Sequence, residues 1–276
     1  MSATHASIAH AGRAPGTFRS TGLPGASRWL LAPLALSDLA REGIAHRGSF
    51  RFADHLYKNE PSGRLIVGRW LDRLFLRLPA AAAFRRRYLH ARDAIGAVVR
   101  AKAVTGPVRV LTVPCGIPRD VVDMARAIAR ESPESVERVE YVGMDIDPAA
   151  LDVAERFAER SVLRCSFHQG DALRRDAYPG GRFDVVSSTG LAEFLDDEQL
   201  AALYRNVYDV LDRGGTFYTS ATASDPLSSL LLRAIDLPTH YRPQPHLETI
   251  VNRLPWRQVT YVVDRTGLQT FVRAVK

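Results

Sequence analysis

The sequence predicts an α/β protein, a doubly wound and largely parallel sheet preceded by a helical segment. Three observations lead there. Residues 108–220 alternate short β-branched runs with helical stretches, the grammar of parallel strands joined by right-handed crossovers. Gly106-Pro107 breaks the chain just before that alternation starts. Upstream, from Ser37 to about Lys102, apolar and charged residues recur at helical spacing instead.

Taken in order, Met1 to about Pro24 is rich in Ala, Ser, Thr, Gly and Arg without apolar periodicity and reads as a flexible tail. The apolar run Trp29–Leu36 falls short of the roughly 20 residues that span a bilayer. It lies too far from Met1 for a secretory leader, so an amphipathic docking helix is expected. Leu65, Ile66, Gly68, Arg69, Leu71, Asp72, Leu74 and Phe75 mark a helix. Pro79, tolerated in a first turn, opens another that runs from Ala80 to about Val104 and contains Arg85-Arg86-Arg87. Residues 25–107 are thus expected to form a helical cap, and 108–276 a separate α/β domain.

Within that domain Val108–Val113 is the first strand, followed by the turn Pro114-Cys115-Gly116-Ile117-Pro118 and a helix from about Arg119 to Arg130. Val139–Met144 is the second strand. Pro148 at a first helical position then opens Ala149–Arg160, with Asp147 as its N-cap. Arg164–His168 and Phe183–Ser188 are strands three and four, and Asp196–Leu211 is a helix with acidic residues in its first turn. Gly214-Gly215 is expected to turn the chain into a fifth strand, Thr216–Ser220. Gln258–Val263 and Thr270–Val275 are expected to pair through Asp264-Arg265-Thr266-Gly267 as an antiparallel hairpin.

Composition narrows the function classes. With 276 residues, 46% apolar and 24% charged, the chain can build a sizeable core and is not broadly disordered. Only two cysteines, Cys115 and Cys165, and no H-x-x-x-H or C-x-x-C spacing argue for a reducing cytoplasm and against a metal site. The net charge of +7 is uneven. Residues 1–107 hold 17 Lys/Arg against 6 Asp/Glu, residues 108–276 hold 20 against 24. A basic half can attract an anionic substrate, a nucleic acid or a membrane surface. Here the arginines sit three or four apart among apolar residues, and a solvated helical face accounts for that without a partner.

In open parallel sheets, ligands bind outside the carboxyl ends of the strands where strand order reverses. The residues there are Cys115 and Gly116, then Asp145, then Asp171, then Ser188-Thr189-Gly190. Gly116 lets the backbone approach a ligand. Asp145 can accept from two ribose hydroxyls, with Ile146 covering an adenine face. Asp171 can accept from the adenine amine while the amide of Ala172 donates to a ring nitrogen. Any one of these acids could instead be a cap or turn former; their order along the strands points to a nucleotide-like ligand.

The same order resembles the class I S-adenosylmethionine (SAM)-dependent methyltransferases. The matching pieces are Val110–Gly116, Gly143-Met144-Asp145, Gly170-Asp171-Ala172, Phe183–Val186 and Leu211–Thr216, with the final hairpin also fitting. The resemblance implies a seven-stranded Rossmann-like sheet that binds SAM across strands one to four. Tyr57–Gly63, Gly68-Arg69, Asp72-Arg73 and Gly190–Phe194 further resemble bacterial members that carry an N-terminal cap over the pocket, which would bring Tyr57 to the sulfonium or the substrate.

The first loop departs from that family, whose members mostly have three glycines and an acidic residue where this chain has Thr112, Pro114, Gly116 and Pro118. Two prolines remove two donors, and Arg119 is expected to compensate by pairing with the methionine carboxylate of SAM. Candidate bases are Glu193, Tyr57, His240 and Tyr241, with Glu193 first; an equal role for Glu193 is a bond to the amino group of SAM. The expected activity is methyl transfer to a small metabolite, an anionic one included, with a small-molecule substrate as partner, a homodimer possible, and neither nucleic acid nor membrane involved. The altered loop keeps open a SAM-consuming reaction that releases methylthioadenosine, by aminocarboxypropyl transfer or cyclisation. A non-catalytic SAM- or RNA-binding role is a third reading.

Overall fold

The computed structural model describes residues 36–45, 50–224 and 239–276. The tail, all of the Trp29 run except Leu36, and Asp225-Pro226 lie outside them. Four helices come first: α1 (Asp38–Ala45), α2 (Phe50–Lys58), α3 (Leu65–Leu76) and α4 (Pro79–Ala103). The alternating part follows as β1 (Val108–Thr112), α5 (Arg119–Glu131), α6 (Pro133–Glu137), β2 (Val139–Asp145), α7 (Pro148–Ala158), β3 (Arg164–Gln169), β4 (Phe183–Ser188), α8 (Asp197–Val210) and β5 (Leu211–Thr222). Then come α9 (Gln244–Val251), β6 (Gln258–Val263) and β7 (Gln269–Val275).

The seven strands form one sheet in the order β3-β2-β1-β4-β5-β7-β6. The first five are parallel, and β7 runs antiparallel to both β5 and β6. Strand order reverses between β1 and β4, so the crevice for a ligand lies above their carboxyl ends. Alternation along β1 divides the core between two faces. Val108 and Val110 pack with Ile95 and Val99 of α4 and Val121 and Met124 of α5. Leu111, with Val113 just beyond the strand, packs with Leu200 and Tyr204 of α8 and Leu247 of α9. Sheet and helices therefore form the doubly wound architecture that the period-2 and period-3.6 patterns require.

Two expectations need correction. Gly214-Gly215 do not precede the fifth strand but lie inside it: Leu211 already pairs with Phe183, and the register shifts before Val185 meets Thr216. The extra residues are accommodated by a positive φ of 73° at Gly214, whose amide donates to the Lys276 carbonyl 3.0 Å away. The arginine-rich helix is also not simply a solvated face. Arg86 pairs with Asp264 at 2.7 Å, Lys102 with Asp184 at 2.8 Å, and Arg87 is 4% exposed.

The first three helices are tied by Asp72, which is fully buried. One of its oxygens accepts from Ser37 Oγ at 2.6 Å, the other from the amides of Ser62 and Gly63 at 3.0 and 2.7 Å. A side chain at Gly68 would meet the Leu36 carbonyl oxygen at 2.1 Å, so only glycine permits this crossing. That close approach explains the spacing of Ser62-Gly63, Gly68 and Asp72. Ile95, Val98, Val99 and Ala103, in the C-terminal half of α4, pack in the core against the sheet.

Candidate functional site

The strand ends supply a recess suited to a nucleoside. Asp145, at the end of β2, is 7% exposed and accepts from the Gly116 amide at 3.0 Å and the Asp147 amide at 3.1 Å. Those bonds hold its carboxylate in place while lone pairs remain for a ligand. Burial pushes its carboxyl above the usual range, and the amides oppose that shift. Beside it Ile146 is half exposed, an apolar surface positioned for a base. Asp171 accepts from the Leu173 amide at 2.9 Å, and its carbonyl accepts from Arg174 at 3.0 Å. With that carbonyl pinned, the trans peptide directs the Ala172 amide the opposite way.

The first loop is built differently from its expected ligand role. The Val113-Pro114 peptide is cis. Cys115 turns its side chain toward Leu151, Ala154 and Phe167, and its amide donates to the Met144 carbonyl at 2.8 Å. Burial pushes its thiol pKa up, which keeps it protonated. Gly116 has a positive φ of 45° and a Cβ there would lie 3.3 Å from Phe50 Cβ, so α2 closes directly over the loop. Thr112, where the family carries an acid, meets the Tyr141 hydroxyl at 2.5 Å. Arg119 does begin α5, but its guanidinium is held by Asp54 of α2 at 2.6–2.7 Å. Its carboxylate partner is thus supplied by the protein, and Lys58 pairs with the same Asp54 at 2.8 Å.

A second, more polar cluster lies where α4 crosses the ends of β4 and β5. Arg87 donates to Glu193 at 3.3 Å and to the Tyr57 hydroxyl at 3.1 Å, and it rests on the Gly190 backbone, where a Cβ would meet the guanidinium at 3.0–3.2 Å. Thr222 donates to the same Glu193 oxygen at 2.6 Å, and Gln269 donates to Thr222 at 2.8 Å. Burial alone would lower the Arg87 pKa, but Tyr57 and Glu193 outweigh it and raise it, so the cation persists. Arg87 Nε, Glu193 Oε2, Tyr218 Oη, Ser220 Oγ and Gln269 Oε1 are nevertheless buried with no partner among the described residues. An unsatisfied buried polar atom costs on the order of 1–3 kcal/mol, so this group calls for a polar occupant.

Of the expected bases, then, Glu193 and Tyr57 meet at Arg87, and Tyr241 has a buried hydroxyl. His240 reaches the cluster through its backbone, whose amide donates to the Glu193 carbonyl at 2.8 Å, while its side chain is exposed. Thr189 is half-buried at the end of β4. Sequence reasoning missed Arg87, Thr222 and Gln269. It also missed Asp120, whose carboxyl is driven by burial up to about 6 and whose field couples to Arg87, Tyr88 and Tyr218. A carboxylate one residue inside a helix start carries no signal beyond its helix dipole role.

Residues 110–215, the span containing Gly116, Asp145, Asp171 and Glu193, match the family model described as a methyltransferase domain. Those residues are a methyltransferase domain. Its cofactor is SAM, and the recess fits it: a pinned buried carboxylate for the ribose, the half-exposed Ile146 for adenine, and a glycine where the chain must come close. Demethylmenaquinone methyltransferase of Deinococcus radiodurans is 40% identical over 103 residues, 36% of this chain and 41% of that protein. The uncharacterized protein YnbC of Escherichia coli K12 is 26% identical over 243 residues, 81% of this chain and 39% of that protein. The chain thus spans about two-fifths of the length of the curated relatives it matches.

Among solved structures, one described as a possible exported protein from Bordetella parapertussis superposes with a TM-score of 0.75 at 25% identity, covering 90% of this chain and 86% of that one. Such coverage extends beyond the methyltransferase domain into the preceding helices. Magnesium protoporphyrin IX methyltransferase from Synechocystis PCC 6803 with bound SAH shares the fold at 15% identity and a TM-score of 0.54, covering 86% of this chain and 98% of that one. Among the described residues no helix is long and apolar enough to cross a membrane.

Proposed function

We propose that the chain transfers the methyl group of SAM to a small polar acceptor held beneath the N-terminal helices. The observation behind this reading is the set of buried, unpartnered polar atoms around Arg87 and Glu193, at the ends of β4 and β5, with β4 next to β1 in the sheet. SAM supplies an electrophilic methyl group on a sulfonium. The chain's part is to position the acceptor, exclude water and take a proton. Glu193 Oε2 and Gln269 Oε1 accept hydrogen bonds from the acceptor's N–H or O–H groups, and the Tyr218 and Ser220 hydroxyls complete its cradle. Asp120, whose carboxyl is pushed up by burial to about 6 and whose field reaches Arg87 and Tyr218, is the group we test as the acceptor's base.

The cluster favours a neutral hydrogen-bonding acceptor over the anionic one suggested by the charge of the extension. Arg86 is paired with Asp264 and Arg87 with Glu193, so the charge of these two cations is already engaged. The test is incubation of purified protein with SAM and a panel of small alcohols, phenols and amines, read by mass spectrometry. S-adenosylhomocysteine formed only in the presence of an acceptor is the expected result. Methylthioadenosine released from SAM alone would overturn methyl transfer in favour of cleavage at another carbon.

A further inference from the structure

The outward face of α3 carries a pattern that neither the fold nor the methyl-transfer site uses. Ile66, Trp70 and Leu74 recur every four residues and are 88%, 59% and 47% exposed; Val67 and Leu65, at 50% and 74%, widen the patch. Arg69, Arg73 and Arg77 form a second stripe at the same spacing immediately beside it, with Arg64 at the helix start, and all four are exposed. The only acidic residue of the helix, Asp72, is turned inward and consumed by Ser37, Ser62 and Gly63. Every exposed charge on α3 is therefore positive, and none of these four arginine side chains is ion-paired among the described residues.

Buried, apolar and cationic sectors follow one another around this helix. Gly68, Asp72 and Leu76 anchor it to the protein. A contiguous exposed apolar patch signals contact with something. The adjoining arginine row selects an anionic partner, and an aliphatic stripe with one tryptophan offers bases little to stack on. Large aliphatic side chains, an interfacial Trp and a flanking arginine row are what an amphipathic helix needs to lie in the headgroup region.

We propose that α3 is a peripheral membrane-docking surface: Ile66, Trp70 and Leu74 enter the interface of an anionic bilayer while Arg69, Arg73 and Arg77 contact lipid headgroups. This departs from the absence of membrane contact expected from the sequence, and it stands independently of the methyl-transfer reading. Docking of this kind needs no spanning helix.

The test is co-sedimentation of the full chain with vesicles of phosphatidylcholine alone or containing about 30% phosphatidylglycerol, at low salt and at about 0.5 M NaCl. Binding to the anionic vesicles only, weakened by salt, is expected. A basic residue at such a surface is worth about fivefold, so Arg69→Gln/Arg73→Gln should weaken binding roughly 25-fold. Ile66→Ser/Trp70→Ser should weaken it tenfold or more through lost apolar burial. Both double variants change exposed residues only and should keep the far-UV spectrum and the SAM affinity of the parent chain. The control Arg156→Gln/Arg160→Gln, two exposed arginines at the end of α7, should change binding little.

Four results would overturn the proposal. The chain could ignore anionic vesicles, or bind them unchanged by either α3 variant, which would assign the attraction to other residues such as 1–35. The control could weaken binding as much as the α3 arginine variant, leaving only general charge attraction. Finally, light scattering could show a dimer that Ile66→Ser/Trp70→Ser dissolves, which would make a second copy the occupant.

Discussion

Replacing Arg87 with methionine removes the cation from a site where both partners are shielded, the Arg87 and Glu193 side chains being 4% and 7% exposed. The substitution leaves the Glu193 carboxylate with Thr222 as its side-chain donor and takes a donor from the Tyr57 hydroxyl. Breaking a buried ion pair in this one-sided way costs about 3–5 kcal/mol. Methionine recovers part of the packing on Phe84, whose ring centre lies 4.1 Å from the guanidinium carbon. The expected net loss is therefore about 3 kcal/mol, a fall in Tm of roughly 6–12 °C for a chain of this length. Urea unfolding followed by tryptophan fluorescence measures it. Glu193→Gln should also destabilise, and the double variant Arg87→Met/Glu193→Gln should lose less than the sum by at least about 1 kcal/mol. If Arg87→Met stays within about 1 kcal/mol of the parent, or if the two losses simply add, the pair is a solvated contact and the reasoning fails.

Two further outcomes follow from the nucleoside recess and the first helix after it. Asp145→Ala should weaken SAM by about a hundredfold in calorimetry, because hydrogen bonds to a charged acceptor are worth roughly 1.5–3 kcal/mol each; an unchanged affinity would remove the ribose assignment. For Asp120, a carboxyl raised from 3.8 to about 6 binds its proton more tightly in the folded state, so stability is lost as pH rises from about 4 through 6. Asp120→Asn should accordingly match the parent near pH 4 and exceed it by about 2 kcal/mol at pH 8 in urea unfolding. Methyl transfer by the parent should rise with pH through about 6, and the variant should be slow and flat. A parent profile without that rise would dismiss Asp120 as the base.

Most of the sheet was legible in the sequence because strand and helix periods, proline positions and caps are local. Phe183–Ser188 was bounded correctly from β-branched alternation alone, and Asp147 caps α7 through the Ala149 amide as its place before Pro148 implied. The start of β5 was not legible. Its displacement depends on a contact between Gly214 and Lys276, two residues far apart in the chain that meet only once β7 has paired. Short α6, with a single buried apolar residue, and α9, eight residues long, had too little periodicity to be read.

At the site, the sequence by itself determined which residues stand at the strand ends, since a parallel α/β order places Gly116, Asp145, Asp171 and Ser188 there whatever the surrounding detail. Only the tertiary structure decided what their neighbours do. An arginine among apolar residues on a helix looks solvated, yet Arg87 is buried because α4 crosses β4 and β5 and brings it to Glu193. Arg119, open in sequence to a ligand carboxylate, is instead held by Asp54 of a helix some 65 positions earlier. The α3 stripe shows the same division: helical spacing predicts that Ile66, Trp70 and Leu74 share a face, and only the packing of Gly68 against the Leu36 carbonyl decides that this face points outward. Local pattern follows from backbone sterics and side-chain period, whereas burial, charge pairing and exposure depend on which distant surfaces meet.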